Sequence, residues 1–331
     1  MHFLFIADPL ESFKIYKDTT FAMMRELQRR GHTLSACEPQ DLSWQSGFHV
    51  MAHVRDILLT GEQSDSWFRT AQQQFNERPQ GSDGTRAQNV CEFDAVLMRK
   101  DPPFDAQYIY ATHLLEQAER EGARVFNDPA AVRNHPEKLS ILEFPELIGP
   151  TLVTRDASDA RRFFVEHQDI ILKPLDGMGG QGIFRVKQDG LNLGSIIETL
   201  NRDGAETLMV QKFLPEIAEG DKRILLIAGQ PVPYCLARIP QKGEVRGNLA
   251  AGGKGVAQAL SARDREIAER LGPLLYERGL LLVGIDVIGD CLTEINVTSP
   301  TCFQEIFDQT GCDVAALFID ALEADLGKKS A

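Results

Sequence analysis

At 331 residues, with 43% hydrophobic and 25% charged residues, the chain has the composition of an ordinary soluble globular protein and room for two or three domains. A net charge of -13 disfavours nucleic acid and anionic membranes as partners, and no apolar run reaches the length of a membrane span. Six scattered cysteines (Cys37, Cys91, Cys235, Cys291, Cys302, Cys312) include no CxxC pair, which argues against a zinc site and against a dense disulfide framework.

The first part of the chain alternates strand and helix signals. The apolar run before Asp8 has no basic leader or cleavage site, so Phe3–Ile6 reads as a first strand and the cytoplasm as the simplest location. Asp18 is placed to cap a helix whose apolar positions Phe21, Met24 and Leu27 keep helical spacing until Gly31. Strands are expected at Thr33–Cys37, Asp94–Met98 and Arg124–Phe126, with a helix from Asp105 to Gly122 before the last. This β-α-β alternation predicts a parallel sheet. The Gly-, Gln- and Asn-rich stretch Arg78–Asn89 reads as a solvent loop. A boundary at Asn127-Asp-Pro129 divides an α/β domain, 1–128, from a central unit, 129–214, and a C-terminal unit, 215–331. The central unit should hold strands at Thr151–Arg155, Asp169–Pro174, Gly182–Lys187 and Leu208–Phe213. The C-terminal unit should hold Arg223–Ile227, Pro233–Ile239, a helix from Ala262 to Tyr276 and a late hairpin.

Three segments carry chemistry. Gly177, Gly179 and Gly182 match the GxGxxG dinucleotide fingerprint, which requires a helix to follow. Here Ile183–Lys187 alternates as a strand, so the segment is a Gly-rich hairpin loop whose backbone N–H groups are free to meet phosphate. Lys173, on the apolar strand beside it, is a natural phosphate partner; the plainer alternative is a surface lysine at a strand end. Between Ile239 and Gly255, the Gly-rich run holding Arg246 and Asn248 reads as a cationic flap able to expel water from a reactive phosphate, in preference to a linker. In the late hairpin, Glu294 and Asn296 project from one strand face as hard oxygen donors suited to magnesium. Asp286 joins them if a three-residue turn, Gly289–Cys291, sets the register; a two-residue turn would send it to the other face. The alternative for this hairpin is a polar sheet face with no metal.

Metal, phosphate-binding cations and a cover against hydrolysis are the set that phosphoryl transfer needs. At this point the chain resembles the ATP-grasp ligases, and among them the bacterial glutathione synthetases. The resemblance is carried by Met98–Asp105, Ile109–Thr112, Glu137–Leu139, Ile170–Gly180, Gly220–Arg223, Pro231–Pro240, Arg246–Gly253 and Leu292–Thr301, and spans nearly the whole chain. It implies an N-terminal parallel-sheet α/β domain followed by a two-part ATP-grasp fold. It also implies condensation of γ-glutamylcysteine with glycine at the expense of ATP, with magnesium or manganese as the metal. By the same resemblance Lys138 and Lys173, with Gly177, Gly179 and Gly180, hold the ATP phosphates. Gln211, Lys212, Phe213 and Leu214 form a hinge beside adenine, and Asp221 lies near the ribose. Asp286, Glu294 and Asn296 would ligate the metal. Arg223, Arg238 and Arg246 would stabilise transferred phosphate or substrate carboxylates, while Arg99, Asn248, Gly252 and Gly253 would bind substrate. A homotetramer is the implied assembly.

The bottom-up reading by itself reaches Mg-ATP-dependent carboxylate activation and leaves the amine open. An ATP-binding regulatory protein on the same fold, or a ligase acting on D-alanine or a protein tail, remains an alternative. None of the cysteines has a His-paired nucleophile signature, so no covalent thiol intermediate is expected.

Overall fold

The computed structural model describes residues 1–61, 66–70, 85–249 and 252–328. Its first sheet is built around β1 (His2–Ile6), followed by α1 (Thr19–Arg29), β2 (Thr33–Cys37), β3 (Leu42–Ser43), β4 (Met51–Leu59), β5 (Phe68–Thr70), β6 (Arg86–Asn89), β7 (Ala95–Met98), α2 (Ala106–Arg120) and β8 (Val125–Phe126). Strands β2, β1, β7 and β8 run parallel, as the β-α-β alternation predicts. Asp18 caps α1 by accepting from the Phe21 N–H. The sheet continues beyond β2 through β4, which is antiparallel and in turn pairs with β3, β5 and β6. This corrects the solvent-loop reading of Arg78–Asn89: Arg86–Asn89 is a strand on β4, and the remainder through 84 lies outside the described residues. The edge strand escapes a pattern search because its four residues are all polar or small.

The central unit contains α3 (Pro129–Asn134), β9 (Thr151–Thr154), α4 (Ala157–His167), β10 (Ile170–Pro174), β11 (Phe184–Val186), α5 (Leu193–Asn201) and β12 (Leu208–Lys212). Its four-stranded sheet is wholly antiparallel in the order β11-β10-β12-β9. The residues after the glycines therefore form a strand returning along β10, and no helix opens there. A small separate core of Ile170, Leu172, Val186, Ile197 and Val210 holds this sheet to α4 and α5.

The third sheet runs β15-β14-β13-β16-β17, from β13 (Asp221–Ile227), β14 (Gln230–Ile239), β15 (Lys254–Ala259), β16 (Leu282–Ile288) and β17 (Cys291–Asn296). Helix α6 (Ala262–Glu277) packs on it, and α7 (Phe303–Thr310) and α8 (Val314–Lys328) end the chain. The flap ends within one residue of its expected bound, where the chain rejoins the sheet at Lys254 as β15, a strand not among those expected. Phe3, Phe5 and Leu27 share one core with Phe303, Phe318 and Ile319, so the outer two sheets are fused through α1 and the C-terminal helices. No helix among the described residues is long and apolar enough to cross a membrane.

Candidate active site

The late hairpin reaches its expected register by an unexpected route. Ile288 pairs with Cys291 and Val287 with Leu292, which makes Gly289-Asp290 a two-residue turn. That turn alone would put Asp286 on the wrong face. A β-bulge at Thr293 inserts one residue, and Asp286 is then opposite Glu294 and Gly284 opposite Asn296. The Thr293 hydroxyl donates to the Asp286 carbonyl oxygen at 3.1 Å and closes the bulge. The expected three-residue turn is thus replaced by a turn plus a bulge with the same net offset.

Asp286 is buried in a cage of arginines. Arg223 donates to its carboxylate through Nε (2.5 Å) and Nη2 (3.0 Å), and Arg238 Nη2 lies 2.8 Å away. Burial alone would push the Asp286 carboxyl up, but the two guanidinium groups outweigh it and hold the group far below the usual carboxylate range. Gly284 makes the cage possible, because a Cβ there would stand 2.8 Å from Arg223 Cδ. Arg238 also donates to Asp221, whose other oxygen, Oδ1, is buried without a partner among the described residues. Burial raises the Asp221 carboxyl to about 6 despite the pull of Arg238.

Two cavities meet at this hairpin. The larger, of about 470 Å³, opens between the first and third sheets and is lined by Arg99, Arg223, Arg238, Asn296 and Asn248, among others. The smaller, of about 120 Å³, lies between the central and third sheets. Around it stand Lys138, Lys173, Gly180, the run Gln211, Lys212, Phe213 and Leu214, and Asp221, Asp286 and Arg246. Glu294, Asn248, Gly177 and Gly179 face both, so Glu294 stands in the wall where contents of the two cavities would touch.

The cations around the smaller cavity are held in different ways. Lys138 Nζ donates to the Gly177 carbonyl oxygen at 2.5 Å and lies 3.1 Å from Glu294. Lys173 is buried with no side-chain partner among the described residues, and burial lowers its ammonium pKa. Arg246 pairs with Glu244 and reaches over the Gly180 carbonyl at 3.5 Å. Flap and hairpin loop are in close contact: a Cβ on Gly180, at φ +81°, would come 2.7 Å from Asn248 Oδ1. Gly252 and Gly253 line neither cavity and fold the flap onto itself, their N–H groups donating to Leu249 and Asn248 carbonyls. Ala250 and Ala251 of the flap lie outside the described residues.

Sequence reasoning missed several lining residues. Glu137 is half-buried, accepts from the Val297 and Thr298 N–H groups and the Thr298 hydroxyl, and is pushed up by loss of solvent around its carboxylate and by nearby Glu294. Thus it anchors the chain just beyond Asn296. Arg99, expected at the substrate, is fixed by Thr20 Oγ1 and the Pro300 carbonyl, and Asp101 accepts from Ser299 beside it. Glu305, in the first turn of α7, faces the larger cavity and its Oε2 is buried without a partner among the described residues. Asp18, which also lines the larger cavity, left a local signal as a helix cap; Asp101 and Glu137 fall within the Met98–Asp105 and Glu137–Leu139 stretches without being read as site residues, and Glu305 begins a helix with no motif of its own.

A Gly-rich antiparallel lid facing a carboxylate-bearing sheet across a lysine-lined cavity defines an ATP-grasp, ATP-dependent ligase. The fold has the same shape as D-cycloserine synthetase DcsG (TM-score 0.66, 15% identity, 98% of this chain and 99% of that one). It is similarly close to the ATP-grasp ligase PsnB (TM-score 0.61, 19% identity, 97% of each chain). The particular family is set by sequence. Models of the prokaryotic glutathione synthetase N-terminal domain and ATP-grasp domain match residues 1–133 and 137–311. The chain is 58% identical to glutathione synthetase of Ralstonia nicotianae over 100% of this chain and 98% of that protein. It is 56% identical to that of Nitrosomonas europaea over 100% of both. The chain belongs to the prokaryotic glutathione synthetase family.

Proposed function

We propose that this ligase joins γ-glutamylcysteine to glycine, with residues 1–128 and 215–331 forming the substrate cavity and 129–214 closing over ATP. The observation that carries the assignment of roles is Glu294, which faces both cavities at once. ATP enters the smaller cavity with adenine beside Gln211–Leu214, a ribose hydroxyl donating to the orphaned Asp221 Oδ1, and phosphates on Lys138 and Lys173. The dipeptide lies in the larger cavity, its cysteinyl carboxylate directed at the γ-phosphate by Arg223 and Arg238. Arginine suits both partners because its planar fork binds carboxylate and phosphate in bidentate fashion.

The carboxylate oxygen attacks the γ-phosphorus and ADP leaves, giving an acyl phosphate. The glycine amine then attacks the carbonyl carbon, loses a proton, and phosphate departs with the C–O bond. No protein nucleophile is needed, because the activated group stays on the substrate. Arg246 and Asn248, packed over Gly180, exclude water from the acyl phosphate.

The donor set of the hairpin fits magnesium. Asn296 spends its Nδ2 on the Gly284 carbonyl (3.1 Å), which turns its Oδ1 outward, and Glu294 supplies a carboxylate on the same face; Asp286 shares that face with its oxygens accepting from Arg223 and Arg238, so it would join by its remaining lone pairs. These three residues would hold the ion, which supplies neutralisation of phosphate charge.

The test is ADP release from Mg-ATP and γ-glutamylcysteine, with and without glycine, set against tripeptide formed. Glycine-dependent ADP release matched one-for-one by glutathione is expected. ADP release indifferent to glycine would send the assignment to another amine.

A further inference from the structure

A second group of metal-ligating side chains lies on the first domain, away from both cavities. His49 precedes β4, Cys91 follows β6, and Glu121 caps the C-terminal end of α2. Their donor atoms all lie within 4.8 Å of one another, and His49 Nδ1 is 3.5 Å from Glu121 Oε2. Ligand atoms around a tetrahedral zinc stand roughly 3.3–3.8 Å apart, as bond lengths of about 2.0–2.3 Å require. The His49–Glu121 separation already falls in that range, and the separations from Cys91 Sγ lie within about 1 Å of it, a gap that side-chain adjustment can close. The carboxylate is already oriented, since the Val50 N–H donates to Glu121 Oε2 (2.7 Å) and Gln117 Nε2 to Oε1 (2.8 Å). Such fixed outer partners are what hold a ligand ready for a metal. The C-terminal end of α2 adds partial negative charge at the same spot, and Cys91 Sγ lies 3.7 Å from the Ala118 carbonyl there.

We propose that His49, Cys91 and Glu121 bind one borderline-soft divalent cation of the zinc type, with water in the exposed fourth position. One imidazole, one thiolate and one carboxylate suit zinc and repel magnesium, so the site is chemically separate from the oxygen-only hairpin. Its ligands come from positions 49, 91 and 121, which is why the absence of a CxxC pair argued against zinc. Bound there, the ion would clamp the β4–β6 extension of the first sheet to the end of α2.

The experiment uses the metal-free full chain, kept reduced without thiols and titrated with Co²⁺ as the zinc surrogate. A near-ultraviolet thiolate-to-cobalt band is expected to saturate at one equivalent and to persist in excess Mg²⁺. Cys91→Ser should abolish the band, while Cys291→Ser should leave it. His49→Ala, an exposed position where folding is not at stake, should weaken Co²⁺ binding at least about tenfold. Glutathione formation should continue in all three variants. No band in the wild-type chain, a band that survives Cys91→Ser, or Co²⁺ binding indifferent to His49→Ala would each overturn the proposal.

Discussion

The central and third sheets face each other across the nucleotide cavity, and they treat buried charge in opposite ways. The third sheet neutralises its own: Arg223, Arg238, Asp221 and Asp286 are tied to one another inside the fold. The central sheet leaves Lys173 buried without a hydrogen-bonded partner among the described residues, with only the more distant charges of Glu294, Asp221 and Asp286 in its favour and burial outweighing them. The cage on the third sheet is formed within the fold from its own side chains. A buried ammonium without a direct partner costs stability, and a bound anion would relieve it. The same kind of substitution on the two sheets should therefore have opposite consequences for stability.

The largest effect is expected from Asp286→Ala. Removing the shared carboxylate leaves the buried Arg223 guanidinium without its partner and Arg238 with Asp221 alone, a loss of about 3–5 kcal/mol in denaturant unfolding, together with loss of turnover. A stability change below about 1 kcal/mol would show that the arginines find other acceptors and that the cage is not structural. Lys173→Met is the counter-experiment. The methionine fills similar space without a charge to desolvate, so folding stability should equal or exceed wild type. ATP affinity should nevertheless fall by about 1.5–3 kcal/mol, roughly ten- to a hundredfold, as a charge-assisted contact is lost. Destabilisation with unchanged ATP binding would reverse the comparison.

Glu305 carries the idea of an unsatisfied buried group into the substrate cavity. Its orphaned Oε2 is suited to the α-ammonium of the γ-glutamyl end. Glu305→Gln should raise KM for γ-glutamylcysteine by about tenfold with kcat nearly intact, a shift worth about 1.4 kcal/mol. An analogue lacking that ammonium should bind the wild type and the variant alike. If the variant still prefers the natural dipeptide by the wild-type margin, Glu305 does not read the ammonium.

What was legible in the sequence follows the reach of the interactions involved. Parallel strands β1, β2 and β7 announced themselves as apolar runs, and the strand after Gly182 exposed the false dinucleotide fingerprint, because both signals are local. The short polar strand Arg86–Asn89 and the strand Lys254–Ala259 after the flap were hidden: their pairing is decided by partners on β4 and β14. The hairpin shows how a correct outcome can rest on a wrong cause. Asp286 does stand opposite Glu294, but a bulge at Thr293 puts it there, and bulges leave no composition signal. Glu137, though within the Glu137–Leu139 stretch, and Glu305 are not read as site residues from sequence, because their place at the cavity depends on a neighbouring domain.

The smallest effect separates scaffold from socket within the cage itself, at Asp221. Its carboxyl is raised from 3.8 to about 6 in the folded chain. A raised carboxyl means the folded state disfavours ionisation, so the fold is most stable with Asp221 protonated and loses stability as pH rises through about 6. Nucleotide binding has the opposite sign, because a ribose hydroxyl needs the ionised acceptor. KM for ATP should therefore fall as pH rises through about 6 while the melting temperature of the unliganded protein declines modestly over the same window. Asp221→Asn should flatten both curves. A KM for ATP that is level through this window in the wild type would take Asp221 away from the ribose and leave it, with Asp286, as a member of the scaffold alone.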